Sequence, residues 1–267
     1  MENTLKKIVT KKKERIMEYK KKYSTQNLLN TIKNIDLFID FEKKIKERNK
    51  SKKLSIIAEI KQASPSAGII IKNFDYLNIA KQYFENGASC LSVLTEEDFF
   101  LGKLDFIKNI KNKYKLPILC KDFFVDTYQV PLAKSFGADC ILIILSAVDK
   151  ELAKDLYQAS IDLKISTLVE VHTIKEAEIA QDFTNSLIGI NNRNLENLKV
   201  SLDTSVELVK ILNPQKDSLV CESGINTEKD IKFIIEECGI YSFLVGESLL
   251  KSNNISQKLK KLAQISL

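Results

Sequence analysis

The sequence predicts an α/β protein, a (β/α)8 TIM barrel with an N-terminal helical extension. The first observation is a rhythm: after residue 54, short β-branched or apolar runs alternate with longer amphipathic segments of helical spacing. The second is that these runs are apolar nearly throughout instead of alternating, the pattern of parallel strands buried on both faces. The third is their number, eight, with helical segments between successive runs and a further helix after the last. Eight such units suit a closed barrel better than an open sheet. A doubly wound open sheet is the alternative arrangement of the same pattern.

Residues 1–50 come first. Leu5, Ile8, Ile16, Tyr19 and Tyr23 recur at roughly helical spacing among lysines, which predicts one or two helices packed on the barrel. The strands follow as SIIAEI (55–60), SCLSVL (89–94), LPILCK (116–121), DCILII (139–144), STLVEV (166–171), SLIGIN (186–191), SLVCE (218–222) and YSFLVG (241–246). Between them NIAKQYFENG, DFIKNIKNKY, QVPLAKSFG, KELAKDLYQAS, IKEAEIAQDF, TSVELVKIL and EKDIKFIIEECG carry helical patterns, and NNISQKLKKLAQ closes the series. Gly87, Gly137 and Gly239 stand at or near helix ends, where glycine is a common stop. A single domain is expected over 1–267, with 1–50 as the extension and 54–267 as the barrel. The chain ends soon after the eighth run, so no fused second enzyme is expected.

Composition narrows the class. A 267-residue chain that is 44% hydrophobic and 28% charged is globular. No apolar run approaches the roughly 18 residues of a membrane span, and the N-terminus starts with charge instead of the apolar core of a signal peptide. The five cysteines (Cys90, Cys120, Cys140, Cys221 and Cys238) form no C-x-x-C pair. That spacing predicts reduced thiols in a cytoplasmic setting and argues against a disulfide framework or a zinc site. With one histidine in the chain, a His-rich metal site is not expected either. The net charge of +6 is uneven: residues 1–53 hold 17 Lys+Arg against 7 Asp+Glu, and the remainder 24 against 28. Such a lead segment reads as a solvated helix face that adds some attraction for anions, with nucleic-acid binding as the sharper alternative.

The informative charges lie at the C-terminal ends of the strands, where barrels of this fold carry their active sites. Glu59 and Lys61, two apart, share one face of the first strand. Lys121 ends the third strand, Glu170 and His172 the fifth, Asn191 and Arg193 the sixth, and Glu222 the seventh. Charges converging on one mouth must offset one another or serve a charged ligand, because an unpaired buried charge costs several kcal/mol. After the last two strands, CESGI (221–225) and LVGESLL (244–250) place glycine directly behind a strand, and the second leads into a helix. Glycine lets backbone N–H groups approach an anion, which predicts a phosphate site there. Phe99 or Phe100, with Phe123, would stand beside the charges and suit an aromatic group. These residues alone leave open another phosphate-binding barrel enzyme, such as a Schiff-base aldolase using Lys121 as nucleophile. A non-catalytic barrel that binds a phosphorylated ligand or an anionic polymer is also open.

Taken together, IAEIKQASPSAG, LSVLTEEDFFLG, LPILCKDFFVDTYQV, LVEVH, IGINNRNLENLKVSLDTS, ESGI and FLVGESLL resemble, in order, the indole-3-glycerol-phosphate synthase family. The lysine-rich LKKIVTKKKERI is similar to its N-terminal extension, so the resemblance spans nearly the whole chain. It implies a lyase of tryptophan biosynthesis that closes 1-(2-carboxyphenylamino)-1-deoxyribulose 5-phosphate to indole-3-glycerol phosphate, releasing carbon dioxide and water. Phosphoribosylanthranilate isomerase is a metabolic neighbour that INNRNL and AEIK fit less well. The resemblance also implies no metal or cofactor and a small phosphorylated substrate. A monomer without nucleic-acid or membrane partners is the accompanying expectation. It places the general acid on Lys121 and its acidic partner on Glu170, and Glu59, Lys61 and Asn191 complete the catalytic set. Ser64, Phe100, Phe123, Leu142, Arg193 and Glu222, with Asn191, would hold the rest of the substrate. Lys61, Ser223, Gly224, Gly246 and Glu247 would hold the phosphate, Glu247 through its backbone N–H alone because its carboxylate would repel it. Two positions depart from the family pattern: Ala67 and Cys120 stand where basic residues are common.

Overall fold

Eight parallel strands close on themselves. β1 (Ser55–Ile60) pairs with β4 (Cys90–Leu94) on one side and β10 (Ser242–Val245) on the other. β5 (Ile118–Lys121), β6 (Cys140–Ile144), β7 (Ser166–Val171), β8 (Leu187–Asn191) and β9 (Leu219–Glu222) complete the ring in chain order. The computed structural model describes residues 4–35, 38–194, 198–212 and 217–265. Every residue of β1, β4, β6, β8, β9 and β10 is buried. This explains the missing alternation: one set of side chains fills the barrel and the other lies beneath the outer helices.

Those helices are α4 (Tyr76–Glu85), α5 (Leu104–Lys111), α6 (Gln129–Ser135), α7 (Lys150–Asp162), α8 (Ile174–Ala180), α9 (Asp203–Leu212), α10 (Glu228–Cys238), α11 (Glu247–Leu250) and α12 (Ile255–Ala263). Short polar side chains start several of them. Asp75, Asp149, Thr173, Thr227 and Asn254 each accept a backbone N–H of the first turn, and Thr227 forms a capping box with Asp230. Gly239 ends α10 at φ +66°, a conformation glycine adopts without a Cβ penalty.

The extension contains three helices, α1 (Thr4–Lys22), α2 (Thr25–Lys33) and α3 (Phe41–Lys50), where the periodicity predicts one or two. The third is strongly polar, and its buried set is Phe41, Ile45 and Asn49, one residue per turn. α3 closes the floor of the barrel. Asn49 donates to the carbonyl of Asp217 (2.9 Å) and accepts from Ser242 (2.5 Å), while Arg48 donates to Ser55 (2.8 Å) at the start of β1. α1 lies at the opposite end, against the mouth.

Two further details differ from expectation. The third run is a strand only from Ile118, because Pro117 has no N–H for the ladder. The SPSAG segment after β1 forms a short hairpin, β2 (Ala63–Ser64) with β3 (Gly68–Ile69), in which Ser64 Oγ accepts the N–H of Ala67 (3.2 Å). Among the described residues no helix is long and apolar enough to cross a membrane.

Candidate active site

A cavity of about 480 Å³ opens at the C-terminal ends of the strands. Glu59, Lys61, Lys121, Glu170, Asn191 and Glu222 line it from five strand ends, with Ser64, Phe100, Phe123, Leu142 and Arg193 around them. Ser223, Gly224, Gly246 and Glu247 lie at the edge where the loops after β9 and β10 meet. Thr4, Leu5 and Ile8 of α1 also line the cavity.

Lys121 sits at the centre of the charges. Its Nζ lies 2.5 Å from Glu170 Oε2 and 3.0 Å from Glu222 Oε2. Burial alone would lower this ammonium's pKa. The carboxylates of Glu170, Glu222 and Glu59 outweigh that effect and hold it well above its ordinary range. Burial would likewise raise Glu170, yet Lys121, with hydrogen bonds from Lys121 and Asn191, takes it below the usual carboxylate range. Glu222 moves the other way: burial, with the charges of Glu170 and Glu59, pushes it up to about 8 against the pull of Lys121. Two neighbouring carboxyls are thereby driven apart, Glu170 toward its ionised form and Glu222 toward its protonated form, an arrangement suited to acid–base work. Glu222 Oε1 is buried without a hydrogen-bond partner.

Glycines make room for these acids. A Cβ on Gly189 of β8 would stand 2.0 Å from Glu222 Oε1, and one on Gly246 would stand 2.4 Å from Glu59 Oε1. Glu59 in turn accepts from Lys61 at 2.7 Å. That pairing explains the polar residues in an otherwise apolar first strand.

Asn191 Nδ2 donates to Glu170 Oε1 (2.9 Å), and Asn191 Oδ1 accepts the N–H of Arg193 (3.0 Å). The next residue, Asn192, is buried and faces away from the cavity. Its Nδ2 donates to the carbonyls of Glu222 (3.1 Å) and Ser223 (3.2 Å), and its Oδ1 accepts from Ser205. It fixes the turn at Ser223 (φ +63°) and Gly224 (φ +84°) behind β9. Ser248 Oγ donates to the carbonyl of Ile225 (2.7 Å) and ties this turn to the loop after β10. The helix expected there, α11, is a single turn of 4 residues, so its dipole is small. Glu247 and Ser248, which open it, carry N–H groups that a helix leaves without an internal partner. The Glu247 carboxylate pairs with Lys251 (2.6 Å) and Arg193 (3.2 Å), and Lys251 chiefly holds it below its ordinary range.

The aromatic wall stands opposite. The rings of Phe100 and Phe123 lie 6.2 Å apart. Glu96, fully buried, accepts the N–H groups of Asp98, Phe99 and Phe100 and so shapes the loop that presents Phe100. Phe99 does not line the cavity. Nor does His172, whose Nδ1 donates to the carbonyl of Asn191 (2.6 Å). Glu96, Glu97 and Asp98 lie close together, but their oxygens are engaged by backbone N–H groups, Lys12 and Arg15 in turn.

The family model for indole-3-glycerol phosphate synthase matches residues 5–262. The chain belongs to the indole-3-glycerol phosphate synthase family. Curated relatives carrying that name include one from Legionella pneumophila (strain Paris), 47% identical over 208 residues, covering 78% of this chain and 80% of the relative. Another, from Zymomonas mobilis subsp. pomaceae, is 37% identical over 262 residues, 98% of both chains. A third, from Bordetella pertussis, is 37% identical over 98% of this chain and 99% of the relative. Among solved structures, 3-hexulose-6-phosphate synthase from Salmonella typhimurium matches with TM-score 0.59 at 13% identity, covering 79% of this chain and 97% of the other, a likeness of fold alone. Sequence reasoning missed several residues of this synthase-family site: Gly189, Asn192, Glu96 and the α1 residues at its rim. Gly189 and Asn192 interrupt or end an apolar strand, a weak signal that was available. α1 gave none, since its contacts join segments far apart in the chain, and nothing in the local run of acids set Glu96 apart from Glu97 and Asp98.

Proposed function

We propose that the chain catalyses the closure of 1-(2-carboxyphenylamino)-1-deoxyribulose 5-phosphate to indole-3-glycerol phosphate, a step of tryptophan biosynthesis. The observation that carries this reading is the Lys121 ammonium held between Glu170 and Glu222 in a cavity ringed by further cations. Ring closure forms a bond from the carboxylate-bearing aromatic carbon to the ketone carbon, and the ketone oxygen must gain a proton. Lys121 donates it. Glu170, fixed by Asn191, faces the cation that develops on the aniline nitrogen. Loss of carbon dioxide returns the electron pair to the ring. Departure of the hydroxyl as water needs a second acid, and removal of a proton from the neighbouring carbon needs a base. Lys61 and Glu59 supply that pair, and Glu222 keeps a proton beside Lys121 through the cycle. Every step is redox-neutral, so no electron acceptor enters the balance.

The phosphate lies against the backbone of Ser223, Gly224, Gly246 and the N–H of Glu247, with Lys61 near it. The benzoate ring lies between Phe100, Phe123 and Leu142, with Asn191 and Arg193 toward its carboxylate, and Ser64 closes the rim. The Schiff-base alternative loses ground on chemistry, because an amine nucleophile must be neutral and the surrounding carboxylates keep Lys121 charged. Nucleic-acid binding loses ground too, since Lys12, Arg15 and Lys20 are engaged by acids of the barrel. We take the chain as one domain over 1–267, working as a monomer in the cytoplasm. One hydrophobic cluster that joins α1–α3 to the barrel supports the single domain, and five buried free thiols support a reducing compartment. The test is incubation of the folded protein with the carboxyphenylamino substrate while indole fluorescence is followed. No signal would sink the reading.

A further inference from the structure

Lys12 is 2% exposed, unusual for a lysine on a helix whose sequence reads as a solvated basic face. Its Nζ lies 2.9 Å from Asp122 Oδ1 and 2.9 Å from Glu97 Oε2. Asp122 stands between Lys121 and Phe123 at the cavity wall, and its carboxylate is turned to the α1 side, where it meets Lys12. Asp122 is the junction of the local network. Its Oδ2 accepts from Thr95 Oγ1 (2.6 Å), its Oδ1 accepts the N–H of Phe123 (2.7 Å), and the N–H of Thr95 donates to the carbonyl of Lys121 (3.2 Å). Glu97 sits in the loop that carries Phe100 and also accepts from Tyr19 of α1. Among the described residues, Lys12 is thus a cation that joins the carboxylate behind Lys121 and Phe123 to the loop behind Phe100.

We propose that Lys12 is a positioning residue for the reaction, its ammonium holding Asp122 and Glu97 together and thereby fixing Lys121, Phe123 and Phe100 at the cavity. This rests on the function proposed above. Without the ammonium, the buried carboxylate of Asp122 and the half-buried one of Glu97 would face each other with no counter-charge, an unfavourable arrangement. The strand ends bearing them would shift apart. Burial already raises Asp122 above its usual range with Lys12 in place. Displacements on the order of 1 Å in a catalytic group are enough to depress turnover about a hundredfold.

Lys12→Met keeps the apolar stem and removes the charge; Lys12→Arg restores it. Steady-state kinetics, melting temperature and backbone hydrogen exchange are measured for the full-length parent and both variants. In Lys12→Met, kcat should fall about ten- to a hundredfold with KM within a few-fold. Exchange should speed at Phe100 and Phe123, while α1 stays protected through buried Ile8 and Ile16. Lys12→Arg should recover a substantial part of kcat. A Lys12→Met protein with parental kcat, or parental exchange at Phe123, overturns the proposal. So does a loss of kcat accompanied by exposure of the whole of α1, which would make Lys12 a docking residue only. A parent that forms no indole would remove the assigned reaction, and exchange at Phe100 and Phe123 would still decide whether Lys12 positions them.

Discussion

Two carboxylates around one lysine make the protonation of Lys121 and Glu222 the chemistry to test at the residue scale. Lys121→Ala removes a side chain at the mouth and leaves the core beneath it whole, so the protein should fold while turnover drops by about 10²–10⁴. Lys121→Arg should rescue poorly, because a planar, bulkier guanidinium cannot take the place of a compact ammonium between Glu170 and Glu222. Near-parental cyclisation by Lys121→Ala would pass the acid role to Lys61. Glu222 adds a pH dependence. Its carboxyl is raised to about 8 by burial and by Glu170 and Glu59, an apparent value that belongs to the coupled cluster. With its proton required, kcat/KM should decline as pH rises through about 8, and Glu222→Gln should lose that limb along with much of its turnover. Stability follows the same sign. A group raised in the folded state stabilises at acid pH, and that contribution is lost as pH rises through the folded value. Urea unfolding at pH 6 and pH 9 should therefore show a smaller alkaline loss for Glu222→Gln than for the parent. An unchanged kcat/KM limb in the variant would assign the titration elsewhere.

At the scale of elements, strand ends and glycines set the site, and glycines give a sharper test than the charges. Gly246→Ala would bring a Cβ to 2.4 Å from Glu59 Oε1 and 3.0 Å from Glu59 Cβ, so Glu59 must leave Lys61 or β10 must shift. A loss of kcat of about tenfold or more is expected. Gly239→Ala is the control, since its Cβ meets nothing within 4 Å and only its φ of +66° is strained. It should cost roughly 1–2 kcal/mol of stability and no activity. Equal kinetics for the two variants would refute the link between Gly246 and Glu59. The same elements show what was legible in advance. Apolar runs gave all eight strands, and polar residues at their ends marked the side of the barrel that holds the cavity. Period and polarity carry that information locally. They did not separate His172 from its neighbours, because whether it faces the cavity or the carbonyl of Asn191 depends on β8. They also could not give Lys12 a buried place, since its partners lie 85 and 110 positions away in the chain.

Across the whole molecule the extension touches both ends of the barrel. α1 is held at the mouth by Lys12, by Arg15 with Asp98 (2.8 Å) and by Lys20 with Asp126 (2.6 Å). The segment leading into α3 is held at the floor by Asp139, just before β6, which accepts the N–H groups of Ile39 (2.7 Å) and Ile118 (2.8 Å) and pairs with Lys111. In this fold the mouth carries the chemistry and the floor carries stability, so a floor variant should separate the two. Lys111→Met leaves Asp139 buried without its cation, a change worth about 3–5 kcal/mol and a fall in melting temperature on the order of 10 °C. Burial raises Asp139 even beside Lys111, and losing Lys111 must raise it further. A folded-state value above the unfolded one means stability is kept at acid pH and lost as pH rises. The deficit of Lys111→Met should therefore be smaller at pH 5 than at pH 8 in urea unfolding. At 25 °C, where the variant remains folded, kcat and KM should match the parent within about twofold, as the floor contributes nothing to the reacting atoms. A turnover loss comparable to that of Lys121→Ala, or a deficit that does not change with pH, would show that floor and mouth are not independent in this barrel.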